Sequence, residues 1–581
     1  MPKTLDQFAI AAALQEIAIL LELKGGTDRF KARAYQTGAR LMAGLSEDLH
    51  AVIEQDTLTS RRGIGDALAS QIKQLYYTGS SSVLDRLRQE FPAGVIELSG
   101  VPGLSISKIK ALHEALGITT IAELQAAAEA GKVRAVKGFG ARTETKLLES
   151  IQGHGGRKHE RLHIHHAQRI AMQVVNYLQA ANGVVKVELA GSLRRWEETV
   201  GTIQLVASAK TPKVILDHFS RFPLVVAIEE CNEVQCTVVL AEGARVELTV
   251  VKVKDFSWTV WRQTGSETHV AKLQQVIARK NSEIDLNTPS AFADGASPAT
   301  VEAPERQFYE SFGMQYVPPE LREDSGEVEA ALKGKLPEDL ITTVDIQGMV
   351  HCHTTYSDGK HSVEEMALAA EAMGMKYLTI TDHSPTAFYA GGVTIDRLMR
   401  QWDEIDEVQE KVKIKLLKGT ESDIVASGAL DYPDKILEKF DVIVASIHSR
   451  YKMDSEKMTR RLVTAMSQPV FKIWGHALGR LIQRRPPFDC DIEKVLDVIA
   501  ESKAAIEING DPFRLDMEPR FIREARKRKL KFVISVDAHS TGALNNVKYG
   551  VGMARRGWVR KSEVLNVLGV KAFAKAVRPT Q

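Results

Sequence analysis

Apolar residues recur every three or four positions in Phe8-Ala-Ile-Ala-Ala-Ala-Leu-Gln-Glu-Ile-Ala-Ile-Leu-Leu-Glu-Leu, and the pattern continues in pieces to about residue 155. That spacing predicts a region almost wholly of amphipathic helices. From His159 to about Asn287 short β-branched strands alternate with helices, and residues 288–305, rich in Pro, Ala, Ser and Gly, read as a linker. Beyond residue 337 short, continuous apolar runs appear: Tyr377-Leu-Thr-Ile, Ile414-Lys-Leu-Leu, Val442-Ile-Val-Ala-Ser-Ile, Phe471-Lys-Ile-Trp and Phe532-Val-Ile-Ser-Val. Runs of this kind, spaced by helical stretches, predict parallel strands covered on both faces.

The residues that follow these runs change the picture. His351 and His353 alternate, as two side chains on one face of a strand would, and Asp358 follows in the next loop. His383, Glu421, His448, His476, Asp537 and His539 come after the later runs. Of the seven histidines beyond residue 340, only His361 lies away from a strand end. A lone histidine is usually a core or surface residue. Six at strand ends with three carboxylates predict a metal cluster at the carboxyl mouth of a β/α barrel, with imidazole and carboxylate ligands suited to zinc, manganese or iron.

The segments HCHTTYSDG, TDHS, GTESD, ASIHS, GHALGR, EINGDPFRLD and VDAHS resemble, in order, the motifs of the polymerase and histidinol phosphatase (PHP) family. The resemblance implies a distorted (β/α)7 barrel holding Mn2+ and/or Zn2+, two or three ions, with Glu421 as a bridging carboxylate, and hydrolysis of phosphate esters. It makes His351, His353, Asp358, His383, Glu421, His448, His476, Asp537 and His539 the expected ligands. Arg480 and Arg514 are candidates for neutralising substrate phosphate, with a structural salt bridge as the competing reading.

In the helical region Arg62-Gly63-Ile64-Gly65, Val101-Pro102-Gly103-Leu104-Ser105 and Lys137-Gly138-Phe139-Gly140 repeat a glycine hairpin before a helix, with Lys108 in the second unit. Glycines let backbone approach a phosphate, and the following helix points its first amides there. Gly63, Gly65, Gly103, Ser105, Lys108, Gly138 and Gly140 are therefore expected to grip DNA without reading its sequence. The cluster His159, His163, His165 and His166 reads as the solvated start of a helix, since Ile170, Val174, Val175 and Leu178 follow at helical spacing.

Further on, Leu189-Ala-Gly191-Ser192-Leu193-Arg194-Arg195, together with the Phe30-Lys-Ala-Arg-Ala-Tyr35 opening and Thr264-Gly265-Ser266, resembles the family X DNA polymerases. The resemblance places Gly191, Ser192, Arg194 and Arg195 at the incoming triphosphate. That family carries two aspartates, one residue apart, where this chain has Thr202 and Gln204, and a third where it has Glu247. Neutral oxygens hold Mg2+ poorly, so Mg2+ at the palm is not expected.

The expectation is a multidomain chain: a helical N-terminal domain over 1–85, a helix-hairpin-helix region over 86–155, a degenerate α+β nucleotidyltransferase palm and thumb over 156–287, a connecting segment over 288–336 and a PHP barrel over 337–581. The two resemblances together imply DNA repair by a metal-dependent 3′-5′ exonuclease, with abasic-site or 3′-phosphate processing, and the missing aspartates imply that polymerase activity is lost. The alternatives are a phosphatase of small monoesters and a residual gap-filling polymerase. Four cysteines without a CxxC pair and the lack of a long apolar run point to a reducing, cytoplasmic setting with no membrane partner. A net charge of +2 requires any DNA footprint, on gapped, nicked or 3′-ended substrates, to be local. A monomer is assumed.

Overall fold

A computed structural model of the chain describes residues 5, 7–24, 28–43, 45, 49–61, 63–91, 98, 101, 104–151, 161–240, 243–279, 286 and 301–579. The chain divides into two compact units: Met1–Leu193, Thr199–Thr264 and Ile284–Glu305 make the first, and Arg194–Glu198, Gly265–Glu283 and Arg306–Gln581 the second.

The first unit begins with the predicted helices: α1 (Gln7–Lys24), α2 (Asp28–Ala43), α3 (Leu49–Glu54), α4 (Asp66–Thr78), α5 (Ser82–Glu90), α6 (Ile106–Leu116), α7 (Ile121–Glu129) and α8 (Ala141–Ile151). Buried Ile10, Leu14, Ile17 and Leu21 keep the three- and four-residue spacing along α1. Local chemistry sets the ends. Gly79 caps α4 in the left-handed region, and a capping box joins Thr120 and Glu123 at the start of α7.

Strand β1 (Leu162–His163) leads into α9 (Ile164–Gln179). Then follow β2 (Val184–Leu189), β3 (Thr199–Val200), β4 (Thr202–Ala209), β5 (Val225–Cys231), β6 (Gln235–Leu240) and β7 (Arg245–Val251). Five of them form a mixed sheet ordered β2-β4-β7-β6-β5, with β4 and β7 parallel, while β1 pairs β3. That pairing corrects one expectation: His163 is buried rather than solvated, because Thr199 lies opposite it in β3. His165 is half-buried and only His166 is exposed, whereas His159 lies outside the described residues.

In the second unit β8 (Gly348–Met349), β9 (Tyr377–Ile380), β10 (Lys415–Asp423), β11 (Val442–Ser446), β12 (Lys472–Trp474), β13 (Ala504–Asn509) and β14 (Phe532–Ser535) lie in sequential order in one parallel sheet. The helices between them follow the β/α alternation read from the chain. Closure comes from short links between first and last strands. Past their ends Cys352 pairs with Ala538, whose carbonyl accepts from His353 N at 2.8 Å while its amide donates to His351 O at 3.0 Å. At the other end the Asn566 amide donates to Gly348 O at 3.1 Å and Ile534 O at 2.7 Å, stitching the seam. Tyr377 and Phe573 stack at 4.6 Å in the apolar floor. The result is a nearly closed seven-stranded barrel. Gly348 suits that floor, since a Cβ there would sit 2.2 Å from the Tyr377 ring.

Candidate metal centre

Each expected ligand leaves the barrel at its carboxyl mouth, except that Glu421 lies inside β10 rather than after it, because that strand runs on to Asp423. The structure brings all nine together. Glu421, fully buried, stands 2.8 Å from His476 Nε2, 2.9 Å from His383 Nδ1, 3.1 Å from His448 Nε2, 3.4 Å from His351 Nε2 and 3.6 Å from His353 Nε2. Asp537 lies 3.0 Å from His353 Nε2, and Asp358 lies 3.2 Å from His539 Nε2.

Among the described residues, three groups place ligand atoms within 4.8 Å of one another: His353, Asp358, His383 and His539; His351, His353, Glu421 and Asp537; and His383, Glu421 and His448. The groups overlap at His353, His383 and Glu421, of which the Glu421 carboxylate has two oxygens to offer. His476 joins through its 3.2 Å contact with His448. The group containing Asp358 and His539 is the one open to solvent, their side chains being 36% and 35% exposed.

The donor set fits divalent cations on a second count. His351 Nε2, His353 Nδ1, His383 Nδ1, His476 Nδ1 and Glu421 Oε2 are buried without a hydrogen bond, and buried polar atoms left so are costly. Burial and neighbouring positive charge press His353 and His476 down to about 4, which leaves them neutral and ready to ligate. Burial alone would raise the Glu421 carboxyl, but His448, His351 and His383 overcome it and hold it well below the usual range. His383 is pushed the other way, to about 10, because Glu421 and Asp358 outweigh its burial. Bound cations would take over the roles of those protons.

Sequence reasoning missed the groups that aim the ligands. Glu507, buried in β13, accepts from His351 Nδ1 at 2.6 Å and turns Nε2 toward the cluster. Asp423 accepts from His448 Nδ1, and the Asp537 carbonyl accepts from His539 Nδ1 at 2.8 Å. Such partners fix tautomer and ring direction. Glu507 was visible two residues before Asn509, on the same strand face, but a carboxylate inside an apolar run carries no ligand signature of its own. His476 and Asp537 hold φ of 24° and 51°, a region non-glycine residues seldom adopt, as residues at functional sites often do.

The two arginines part company. Arg514 Nε lies 3.1 Å from Asp537 Oδ2, and its Nε and Nη1 are buried without a hydrogen bond. Arg480 departs from the expectation of a phosphate contact. Glu198 receives its Nη1 at 3.2 Å and Nη2 at 3.0 Å, Glu518 lies 3.2 Å away, and the Arg514 carbonyl accepts its Nε at 2.8 Å. Its donors are taken up by a structural tie.

At the palm, Gln204 and Glu247 are opposite neighbours on β4 and β7, and Gln204 Nε2 donates to Glu247 Oε1 at 2.9 Å. Thr202 Oγ1 accepts from Arg245 at 3.3 Å. Those hydrogen bonds occupy the positions where metal-binding carboxylates were sought. Gly191 has φ +61°, and a Cβ on it would meet Gln204. Ser192 and Arg194 lie in the helical turn Gly191–Arg194, and Arg195 pairs with Glu197 and Glu323 instead of standing open to a triphosphate.

Of the hairpin residues, Gly63 and Gly138 hold φ of 106° and 93°, as sharp turns require. Gly65 and Gly140 have open space where a Cβ would stand. Ser105 is the N-cap of α6, and Lys108 lies 5.5 Å from the Phe139 ring, joining the second hairpin to the third. Gly103 falls outside the described residues.

Four family models match parts of the chain, and the thumb match crosses the boundary expected at 287/288 into the stretch read as a linker. Residues 6–81 match a helix-hairpin-helix domain, 95–152 a SAM-like helix-hairpin-helix tandem, 259–323 the DNA polymerase beta thumb and 350–511 the PHP domain. The chain is 34% identical over 575 residues to the DNA polymerase/3′-5′ exonuclease PolX of Bacillus subtilis, covering 97% of this chain and 99% of that one. A probable phosphatase of Caldanaerobacter subterraneus is 31% identical over 201 residues, 32% of this chain and 74% of its own. Another, from Acetivibrio thermocellus, is 31% identical over 204 residues, 32% of this chain and 78% of its own.

Proposed function

The chain belongs to the PolX family of DNA polymerases with helix-hairpin-helix, polymerase beta thumb and C-terminal PHP domains, and on that premise we propose that it is a metal-dependent 3′-5′ exonuclease whose polymerase chemistry is lost. The observation that carries this is a contrast within one chain. Nine ligand-type side chains converge at the barrel mouth, whereas at the palm Gln204 is hydrogen-bonded to Glu247.

His351, His353, Asp358, His383, Glu421, His448, His476, Asp537 and His539 would hold two or three Mn2+ or Zn2+ ions. Such ions, when bound, supply a more acidic water and positive charge for the leaving oxygen of a phosphodiester. The chain's own residues set the rest. Glu421 joins two of the three groups, and Glu507 and Asp423 fix the rings of His351 and His448. Arg514, with buried donors that carry no hydrogen bond, binds a non-bridging phosphate oxygen. Arg480 holds the Arg514 backbone, a positioning role. The helix-hairpin-helix domains are DNA-binding modules, and their glycine turns would hold the strand through phosphates whatever its sequence.

The test is degradation of a 5′-labelled gapped or nicked DNA in Mn2+ by the wild type, His351→Ala and Glu421→Ala. A 3′-to-5′ ladder lost in both variants is expected. No ladder, with hydrolysis of small phosphate monoesters in its place, would move the assignment to a phosphatase of small monoesters. Primer extension in Mg2+ or Mn2+ is expected to add no nucleotide, and addition would restore the polymerase.

A further inference from the structure

Immediately after His383, the loop Ser384-Pro-Thr-Ala-Phe388-Tyr389-Ala-Gly-Gly carries two aromatic side chains that the proposed chemistry leaves unused. Phe388 is 85% exposed and Tyr389 69% exposed. Adjacent large rings left in water are a feature of contact surfaces rather than of structural need. The Tyr389 ring centroid lies 6.1 Å from His383 and 6.2 Å from His448, two of the expected ligands.

The loop is held, not loose. Val393 N donates to His383 O at 2.8 Å, Ala390 N to Ala387 O at 3.0 Å, and Gly392 N to Ala387 O at 3.1 Å. Thr386 ties it outward, with Oγ1 donating to Asp423 Oδ2 at 2.9 Å and N to Asp431 Oδ2 at 2.7 Å. Arg397 donates to Gly391 O at 2.7 Å. A Cβ at Gly392 would sit 2.1 Å from Ser384 O, so the turn has no room for a larger residue. Asp423, which anchors Thr386, also orients His448. The loop backbone is therefore fixed relative to the cluster, and little backbone entropy is lost when a ligand covers the rings.

We propose that Phe388 and Tyr389 form a stacking platform for the unpaired base or bases at the 3′ end of single-stranded DNA whose terminal phosphodiester lies at the metal cluster. This rests on the exonuclease reading. Flat apolar faces beside a phosphate-cutting centre suit nucleobases, every one of which has a π face, so the contact is independent of sequence and requires bases freed from a duplex. A sugar phosphate or other small monoester without a base has nothing to place there.

The test uses the full chain and two substrates that differ only in whether the 3′-terminal nucleotide carries a base or a tetrahydrofuran abasic unit. Wild type is expected to show a KM lower for the base-bearing end on the order of tenfold or more. In Phe388→Leu/Tyr389→Leu that ratio should fall toward one, and in the single variants Phe388→Tyr and Tyr389→Phe it should be restored. A second readout, quenching of 2-aminopurine at the 3′ terminus on binding, should be lost in the double leucine variant. An unchanged ratio and unchanged quenching would overturn the platform. So would concentration-dependent self-association of the wild type that the leucines abolish, since the rings would then face a second copy. Quenching that depends on the two rings in a chain that cuts no DNA would uphold the platform and remove the exonuclease reading.

Discussion

Glu507 shows how much of the centre rests on side chains that are not themselves ligands. Its Oε1 accepts from His351 Nδ1 at 2.6 Å, and Asn509 Nδ2 donates to Oε2 at 3.0 Å, all in the barrel interior. Glu507→Gln keeps the shape and removes the charge that raises the basicity of His351. Metal affinity is expected to fall about 10- to 100-fold, measured by equilibrium dialysis with elemental analysis of the bound ion. Affinity equal to the wild type would sink the role given to Glu507. The same residue marks what could be read from the chain. Histidines and aspartates just past β-branched runs are conspicuous because polar residues are unexpected there. Glu507 and Asp423 lie within strands, and only the pairing of those strands shows that they face the rings behind the ligands. For Arg480 the sequence left a phosphate contact and a salt bridge both open, and Glu198, 282 positions earlier, takes its guanidinium.

At the level of elements, β12 is one of the less obvious strands, because Lys472 interrupts its apolar run. The side chain is fully buried and burial presses its amine down to about 8, while Nζ donates to Val470 O at 3.0 Å and to Gln468 O. The sign of the linkage follows from the lowered value. Between about pH 8 and the unfolded value near 10.5 the unfolded chain binds a proton that the folded chain does not, so stability rises with pH across that window and is flat below it. Lys472→Met removes the term. Its stability relative to wild type should therefore fall by up to about 3 kcal/mol from pH 8 to pH 10.5, read by urea unfolding followed through the buried Trp474. A pH-independent difference would show that the two carbonyls keep Lys472 charged throughout. Strands β9, β11 and β14 were legible because β-branched runs bounded by polar loops leave little alternative, whereas β8 and β13 carried no such run in the sequence reading. The extent of β10 was not, since polar Thr420, Glu421 and Ser422 look like loop until their backbone pairs with β11.

For the whole molecule, the five-stranded sheet and the barrel are stabilised in different ways. The five-stranded sheet is sustained by buried apolar residues such as Ile203, Leu205, Val246 and Leu248. That core does not depend on which residues stand at 202 and 204, so Thr202 and Gln204 fit the sheet without offering the carboxylates that hold hard cations. The barrel is different. Its mouth gathers Glu421, Asp537 and Asp358 with six histidines, and cations bound there stabilise the folded state in proportion to the logarithm of their concentration over Kd. Removing them with a chelator is expected to lower protection against hydrogen exchange in β8–β14 by about 4 kcal/mol, the stabilisation from a ligand at a thousandfold its Kd. Amides of the five-stranded sheet should be unaffected. Equal loss in both sheets would mean that the ions act on the chain generally, and no loss in either would mean that the barrel is stable without the cluster's cations; either result would separate the fold from the metal chemistry assigned to it.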